Sequence, residues 1–405
     1  MQTVVTGAIR PSGFAAWTVV LAGVVAALQV GKLPPALPAL QADLGLSLVE
    51  AGFLLSMVQL AGMLTAIVVG LWADQVGLKR AMVCGLWVLA AASAWGSAVS
   101  SAVALLALRA LEGMAFLWVS LPAPALIRRL VSADKLAGMM GVWGAYMPLG
   151  TALALLAGPL VIPWAGWPLW WNLLASLSVL MALGVQRWVP ADPPAVQTSR
   201  PALASSLWQT LSERGPWLVA MMFGVYAAQW LAVVGFLPSI YSQAGITGAA
   251  LGGLTALAAA VNMVGNLASG RLLNAGRAPH HLLWIGYVGM VLGTSLAFMP
   301  LTEDWPWLRY AGVLLFSTLG GLIPATLFAL AVRLAPSDRQ VATTVGWAQQ
   351  WSALGQFLGP PAVAWVAARA GGWQLTPLVT GACCAVGIVL AALTARHLRA
   401  MPARC

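Results

Sequence analysis

At least ten stretches of this chain run for roughly 20 residues with almost no charge, the length a helix needs to cross a hydrocarbon layer. A segment placed in lipid must satisfy its own backbone N–H and C=O groups, so only helices or closed barrels can span it. These runs are continuous rather than alternating, and rich in Ala, Leu and Gly, which selects helices over barrel strands. With 61% hydrophobic and only 7% charged residues, a water-soluble fold would lack a polar surface. Twelve spans are expected, near 14–40, 48–72, 80–98, 102–127, 137–161, 168–187, 216–241, 249–272, 281–299, 307–332, 341–368 and 375–395.

The polar break between the second and third spans recurs 200 positions later. Gly70-Leu-Trp-Ala-Asp74-Gln-Val-Gly77-Leu-Lys79-Arg80 is echoed by Gly270-Arg271-Leu-Leu-Asn274-Ala-Gly276-Arg277. The same offset pairs Gln29 with Gln229, Gly52 with Gly252, Arg109 with Arg309, Phe116 with Phe316 and Pro124 with Pro324. The matches fall on residue types that are rare here, so the chain reads as a tandem duplication. Six spans plus six in the same orientation make a parallel repeat about an axis along the membrane normal. The expected domains are an N-terminal bundle over 1–187, a hydrophilic linker over 188–215 and a C-terminal bundle over 216–405. Pro190, Asp192, Pro193, Pro194 and Arg200 mark that linker.

A net charge of +10 first suggests nucleic acid, but its distribution argues for a membrane. Sixteen of the twenty basic residues fall on one side of the twelve-span topology, while Asp43, Glu50, Glu303 and Asp304 fall on the other. This positive-inside bias puts both termini in the cytoplasm. No basic patch is contiguous in sequence, so no nucleic-acid partner is expected. Arg outnumbers Lys 17 to 3, and with the Ala and Gly excess this composition suggests a GC-rich bacterial genome and an inner membrane. Trp164, Trp167, Trp170, Trp171, Trp305 and Trp307 lie at outer span ends, where interfacial anchoring accounts for them. Cys84, Cys383, Cys384 and Cys405, like His280, His281 and His397, lack metal-site spacing, so no metal is expected. The connections leave no room for a catalytic domain, and no nucleotide-binding loop is present. Neither an enzyme nor a cofactor is expected.

Gly70-x-x-x-Asp74-x-x-Gly77-x-Lys79-Arg80 resembles the signature loop between spans two and three of the major facilitator superfamily. Arg109-x-x-Glu112-Gly113 resembles its fourth-span motif, and Gly166-Trp167 and Gly372-Trp373 its markers before spans six and twelve. Two stretches, Gly31–Pro38 with Leu44–Ser47 and Phe236–Tyr241 with Gly245, are similar to bacterial permeases of the cyanate and nitroimidazole type. The resemblance implies two six-helix bundles that rock around a central site. It also implies a conformational latch built from Gly70, Asp74, Gly77, Lys79 and Arg80. Asp74 is suited to accept from N–H groups at the start of span three, or to pair with Arg128 or Arg129. Two departures stand out. Asn274 replaces the acid in the second copy, and Gly158-Pro159 lacks the paired glycines that follow it in proton-antiport drug exporters.

The candidate site centres on Lys32, Arg109 and Glu112. A charge at mid-bilayer costs at least ~2.5–3.5 kcal/mol on insertion scales, so such residues face water or one another. Arg109 lies roughly 10 Å and Lys32 about 12 Å below the outer ends of their spans, at 1.5 Å per residue. Their depths match, and in the superfamily spans one and four line the cavity. Glu112 stands one helical turn from Arg109 and is the candidate for proton coupling. The alternative is a packing pair of Arg109 and Glu112, with Lys32 snorkelling outward. Gln29, Tyr146, Tyr226, Gln229, Asn262 and Gln349 are further substrate-binding candidates, each equally able to bridge helices. Arg309 is placed at the outer interface beside Glu303 and Asp304.

The expected function is therefore secondary active transport of a small organic solute, anionic on the charge balance of the trio. The expected mechanism is alternating access, run as proton-coupled uptake (symport) by a monomer in the lipid bilayer. A proton-driven exporter of drugs or metabolites is the alternative.

Overall fold

The computed structural model describes residues 13–65, 76–132, 139, 142–192, 203–337 and 340–400. Among these residues every regular element is a helix. In the first half these are α1 (Gly13–Gly31), α2 (Leu33–Leu44), α3 (Leu48–Met57), α4 (Leu78–Gly96), α5 (Ala102–Ser120), α6 (Ala123–Leu130) and α7 (Tyr146–Trp188). The short α8 (Leu203–Ser212) precedes α9 (Arg214–Gln243), α10 (Gly248–Ala260), α11 (Asn262–Asn274) and α12 (Pro279–Phe298). The chain ends with α13 (Pro306–Gly320), α14 (Leu322–Arg333), α15 (Val341–Ala370) and α16 (Thr376–Ala400).

Nine helical stretches among the described residues are long and apolar enough to cross a membrane. The longest, α7, holds 43 residues and divides into two legs at Gly166, whose φ of 74° suits a residue without Cβ. The shorter apolar α3 and the 30-residue α15 complete an arrangement consistent with twelve crossings. Several expected spans are built from two helices end to end: α1 with α2, α5 with α6, α10 with α11, and α13 with α14. Pro34 and Pro35 explain the first break. They sit in the opening turn of α2, where their missing N–H groups cost nothing. Outside the spans, local chemistry sets the boundaries. Gly45 ends α2 in the left-handed region, and Ser47 with Glu50 forms a capping box that starts α3.

The halves share a packing plan. In the first, α1 lies on the opening leg of α7, with Gly150 against Val24 and Ala27. In the second, α9 lies on α15, with Gly355 against Gly224. The duplication also shapes the contact between halves. A Cβ on Gly52 would lie 2.9 Å from the backbone of Pro361, and one on Gly252 would lie 2.8 Å from the carbonyl oxygen of Leu156. This repeated glycine pair thus makes both symmetry-related crossings, α3 on α15 and α10 on α7. Each sits five residues into its span, near the end remote from the basic loops. From there the α3 span follows α15 through Phe53 and Phe357 to Met63, whose carbonyl accepts from Gln350 at 2.7 Å.

Candidate functional site

Lys32 occupies the break between α1 and α2, where its ammonium points into the first bundle. The Nζ atom lies 2.6 Å from Glu112 Oε1, 2.8 Å from Gln29 Oε1 and 2.8 Å from Ser93 Oγ. It also sits 4.7 Å from the centre of the Trp171 ring, a cation–π contact in a dry setting. Arg109 reaches the other carboxylate oxygen of Glu112 at 2.5 Å, and donates from the same nitrogen to the Gln29 carbonyl at 2.9 Å. Gln29 in turn donates to Leu174 O and Ser178 Oγ on the second leg of α7. Trp170 donates to the Lys32 carbonyl at 3.1 Å.

One carboxylate therefore holds two cations at a point where α1, α4, α5 and α7 converge. Lys32 is 0% exposed, and Arg109 and Glu112 are 1% exposed each. The snorkelling alternative for Lys32 does not hold, because Glu112, Gln29 and Ser93 give its ammonium partners in the interior. In this conformation neither cation faces the space between the halves; both are sealed inside the first bundle. The cluster carries +1 if all three groups are ionised, and it is not saturated. Nε and the second terminal nitrogen of Arg109 are buried without a partner.

The other sequence candidates lie elsewhere. Tyr146 stacks on Trp143, with ring centres 4.1 Å apart, and faces Phe116. In the second half Asn262 donates to Tyr226 Oη at 3.2 Å and to the Ser317 carbonyl at 2.9 Å, while Asn266 donates to Asn262 Oδ1. Gln229 is buried, donating to Val225 O and accepting from Cys384 Sγ on α16. Gln349 is exposed on α15. Arg309 donates to the Met299 carbonyl at the C-terminal end of α12.

The loop region holds a surprise. Gly70 and Asp74 lie outside the described residues, but Gly77, Lys79 and Arg80 converge on a different acid, Asp192, just past the end of α7. The Asp192 carboxylate accepts from the backbone N–H groups of Lys79 and Arg80, each at 3.1 Å, and pairs with Arg129 at 3.2 Å. This is an acid on a helix N-terminus, where the dipole favours negative charge. The Lys79 ammonium meanwhile accepts no such role and instead donates to the Gln186 and Val189 carbonyls at the end of α7. Gly77, at φ 108°, is needed twice: a Cβ there would also lie 2.4 Å from the Asp192 carboxylate.

Sequence reasoning missed Asp192, Ser93, Ser178 and Trp171 as site members. Asp192 was visible as an acid in a proline-rich linker beside basic span ends. Trp171 was misassigned. Trp164, Trp305 and Trp307 are exposed, as anchoring requires, but Trp167, Trp170 and Trp171 are buried. Trp167 donates to the exposed Asp43 carboxylate, while Trp170 and Trp171 pack around Lys32 in the interior.

A family model of the Major Facilitator Superfamily matches residues 19–360. The chain belongs to that superfamily. Its fold is shared with solved transporters at 14% sequence identity. One is a bacterial homologue of the human lysosomal transporter Spinster in an inward-facing, unoccupied conformation (TM-score 0.73, covering 97% of this chain and 100% of that one). A D-xylose–proton symporter gives a TM-score of 0.74 over 94% and 96% of the two chains. The nucleoside transporter NupG gives 0.75 over 95% and 99%. No curated protein matches the chain in sequence. As a major facilitator protein the chain is a multi-pass secondary transporter for a small molecule and not an enzyme.

Proposed function

We propose that this major facilitator protein takes up a small organic anion together with protons across a bacterial inner membrane. In this reading it acts as a monomer with both termini cytoplasmic. The observation that carries the reading is the buried cluster in which a single carboxylate, Glu112, neutralises two cations while Arg109 keeps two nitrogens unpartnered. Protonating Glu112 removes the one charge that holds Lys32 and Arg109 together. The freed cations then favour an anion in their place, because buried charge needs a partner. Proton and anion binding are thereby coupled with the same sign, as symport requires.

The crossings at Gly52 and Gly252, near the end remote from the basic loops, support an inward-facing arrangement, with release toward the cytoplasm. Opening toward the other side would have to part α3 from α15 and α10 from α7. Gly31–Pro38 and Phe236–Tyr241, the stretches similar to cyanate and nitroimidazole permeases, belong to helices that meet across the halves, α2 and α9. They support a place in that subgroup.

The test is uptake by the purified protein in liposomes, with small carboxylates and inorganic anions offered under an inward proton gradient or an inward sodium gradient. Anion accumulation driven by protons supports the reading. Movement of neutral sugars or nucleosides without anions, or a sodium-only dependence, overturns it.

A further inference from the structure

A second concentration of charge lies far from the ion cluster, at the basic face of the second half. There the turn between α11 and α12 meets the ends of α14 and α16 around a cavity of about 460 Å³. Arg277, His280, Arg333 and Arg399 line it, over an apolar floor that includes Leu330 and Leu398, and among the described residues no acid is in its walls. The three arginines come from three separate segments, so the fold and not a charge run brings them together. Among the described residues none of them has an ion-pair partner, whereas Arg109 and Arg129 do. All three are exposed, free to turn onto a ligand. The first turn of α12, at Pro279 and His280, opens on the same cavity and adds the favourable end of a helix dipole.

We infer that this cavity binds a phosphate-bearing anion, held by the Arg277, Arg333 and Arg399 guanidinium groups. Their planar forks match phosphate oxygens two at a time, which a lysine cannot do. The mixed lining, cationic at the rim and aliphatic at the floor, fits the headgroup and glycerol of an anionic phospholipid. A basic pocket between helix ends on this face of a membrane protein is suitably placed for one. Free phosphate offers the same chemistry without the apolar part. The site is independent of the transport reading, since its residues share no contact with Lys32, Arg109 or Glu112.

The test uses the full-length protein in detergent, stripped of lipid. Its melting midpoint is measured with added phosphatidylglycerol, with phosphatidylcholine, and with sodium phosphate against sodium chloride at equal ionic strength. The same series is run on Arg333→Gln/Arg399→Gln and on a control of equal charge loss away from the cavity, Arg187→Gln/Arg214→Gln. Native mass spectrometry counts the retained phospholipid in each. A midpoint several degrees higher with phosphatidylglycerol than with phosphatidylcholine supports a lipid headgroup, provided the cavity variant loses it and the control keeps it. The same pattern with phosphate alone supports the site and identifies a free anion as its source. The inference is overturned if neither anion separates from its neutral or chloride control, or if the control variant loses the effect as fully as the cavity variant.

Discussion

The two halves are copies in sequence and packing, yet they treat the equivalent crossing between their third and fourth spans in opposite ways. In the first half, Ser93 on α4 and Glu112 on α5 close around Lys32. At the offset of 200 these positions are Gly293, Gly312 and Ala232. There α12 and α13 meet backbone to backbone, and a Cβ on Gly312 would lie 2.7 Å from the Gly293 carbonyl oxygen. One half uses this crossing to bury charge; the other closes it with glycines against main chain and the apolar side chains of Leu296 and Phe316. Arg309 survives from the pattern, but without Glu112 and Lys32 counterparts it bonds the carbonyl of Met299 at the C-terminal end of α12 instead. The duplication therefore supplies the frame twice and the ionic chemistry once.

The sharpest way to break this comparison is to remove the shared carboxylate. Glu112→Ala strands two cations at a site 0–1% exposed, and breaking a buried pair from one side costs about 3–5 kcal/mol. The variant should unfold earlier in detergent by an amount of that order. Lys32→Met added to Glu112→Gln should recover much of the loss, since it deletes charge from both sides. If Glu112→Ala leaves stability unchanged, the cluster is wetter and weaker than its geometry shows.

Transport gives the next effect. Lys32→Ala and Arg109→Ala each delete a charge-assisted contact worth about 1.5–3 kcal/mol, so anion uptake should fall by roughly 10–100-fold at equal membrane abundance. Arg309→Ala, the repeat's equivalent, should leave uptake within about twofold. Equal losses at Arg109 and Arg309 would mean that the halves share the work. The second half has its own vulnerability. Gly312→Ala forces a methyl group into the α12–α13 contact and should cost about 1–3 kcal/mol in the same unfolding assay, as overpacking does.

How much of this was legible in the sequence follows from where each signal resides. The all-helical membrane fold and the repeat were legible because lipid imposes a continuous apolar length on each helix, and because Gly52, Gly252, Gln29 and Gln229 recur at one offset. The pairing of Arg109 with Glu112 was legible as one helical turn. What bound Lys32 was not, since Ser93 and Trp171 lie 61 and 139 positions away and only packing brings them near. The Asp192 cap was hidden for the same reason: it joins the start of α4 to the end of α7 across 113 positions. The expectation that Lys32 and Arg109 face the central space rested on the depths of α1 and α5. Depth along a helix says nothing of which way a side chain turns, and here both turn into their own bundle.

The smallest effect is the most discriminating, because it uses an uncharged polar pair that both halves keep. Gln29 bonds the second leg of α7 through Ser178, and Gln229 bonds α16 through Cys384, the corresponding helix. Gln29 makes two such bridges, to Leu174 O and Ser178 Oγ, and Gln229 makes one; a buried interhelical hydrogen bond averages ~0.6 kcal/mol. Gln229→Ala should cost about that much. Gln29 also accepts from the Lys32 ammonium at 2.8 Å, a bond to a charged group worth about 1.5–3 kcal/mol. Gln29→Ala should therefore cost visibly more than Gln229→Ala. In a Lys32→Met background the excess should shrink to about the ~0.6 kcal/mol of the one additional bridge from Gln29 to Leu174 O, read in unfolding titrations. An excess undiminished without the lysine would place the asymmetry in the frame itself and not in the charge it carries.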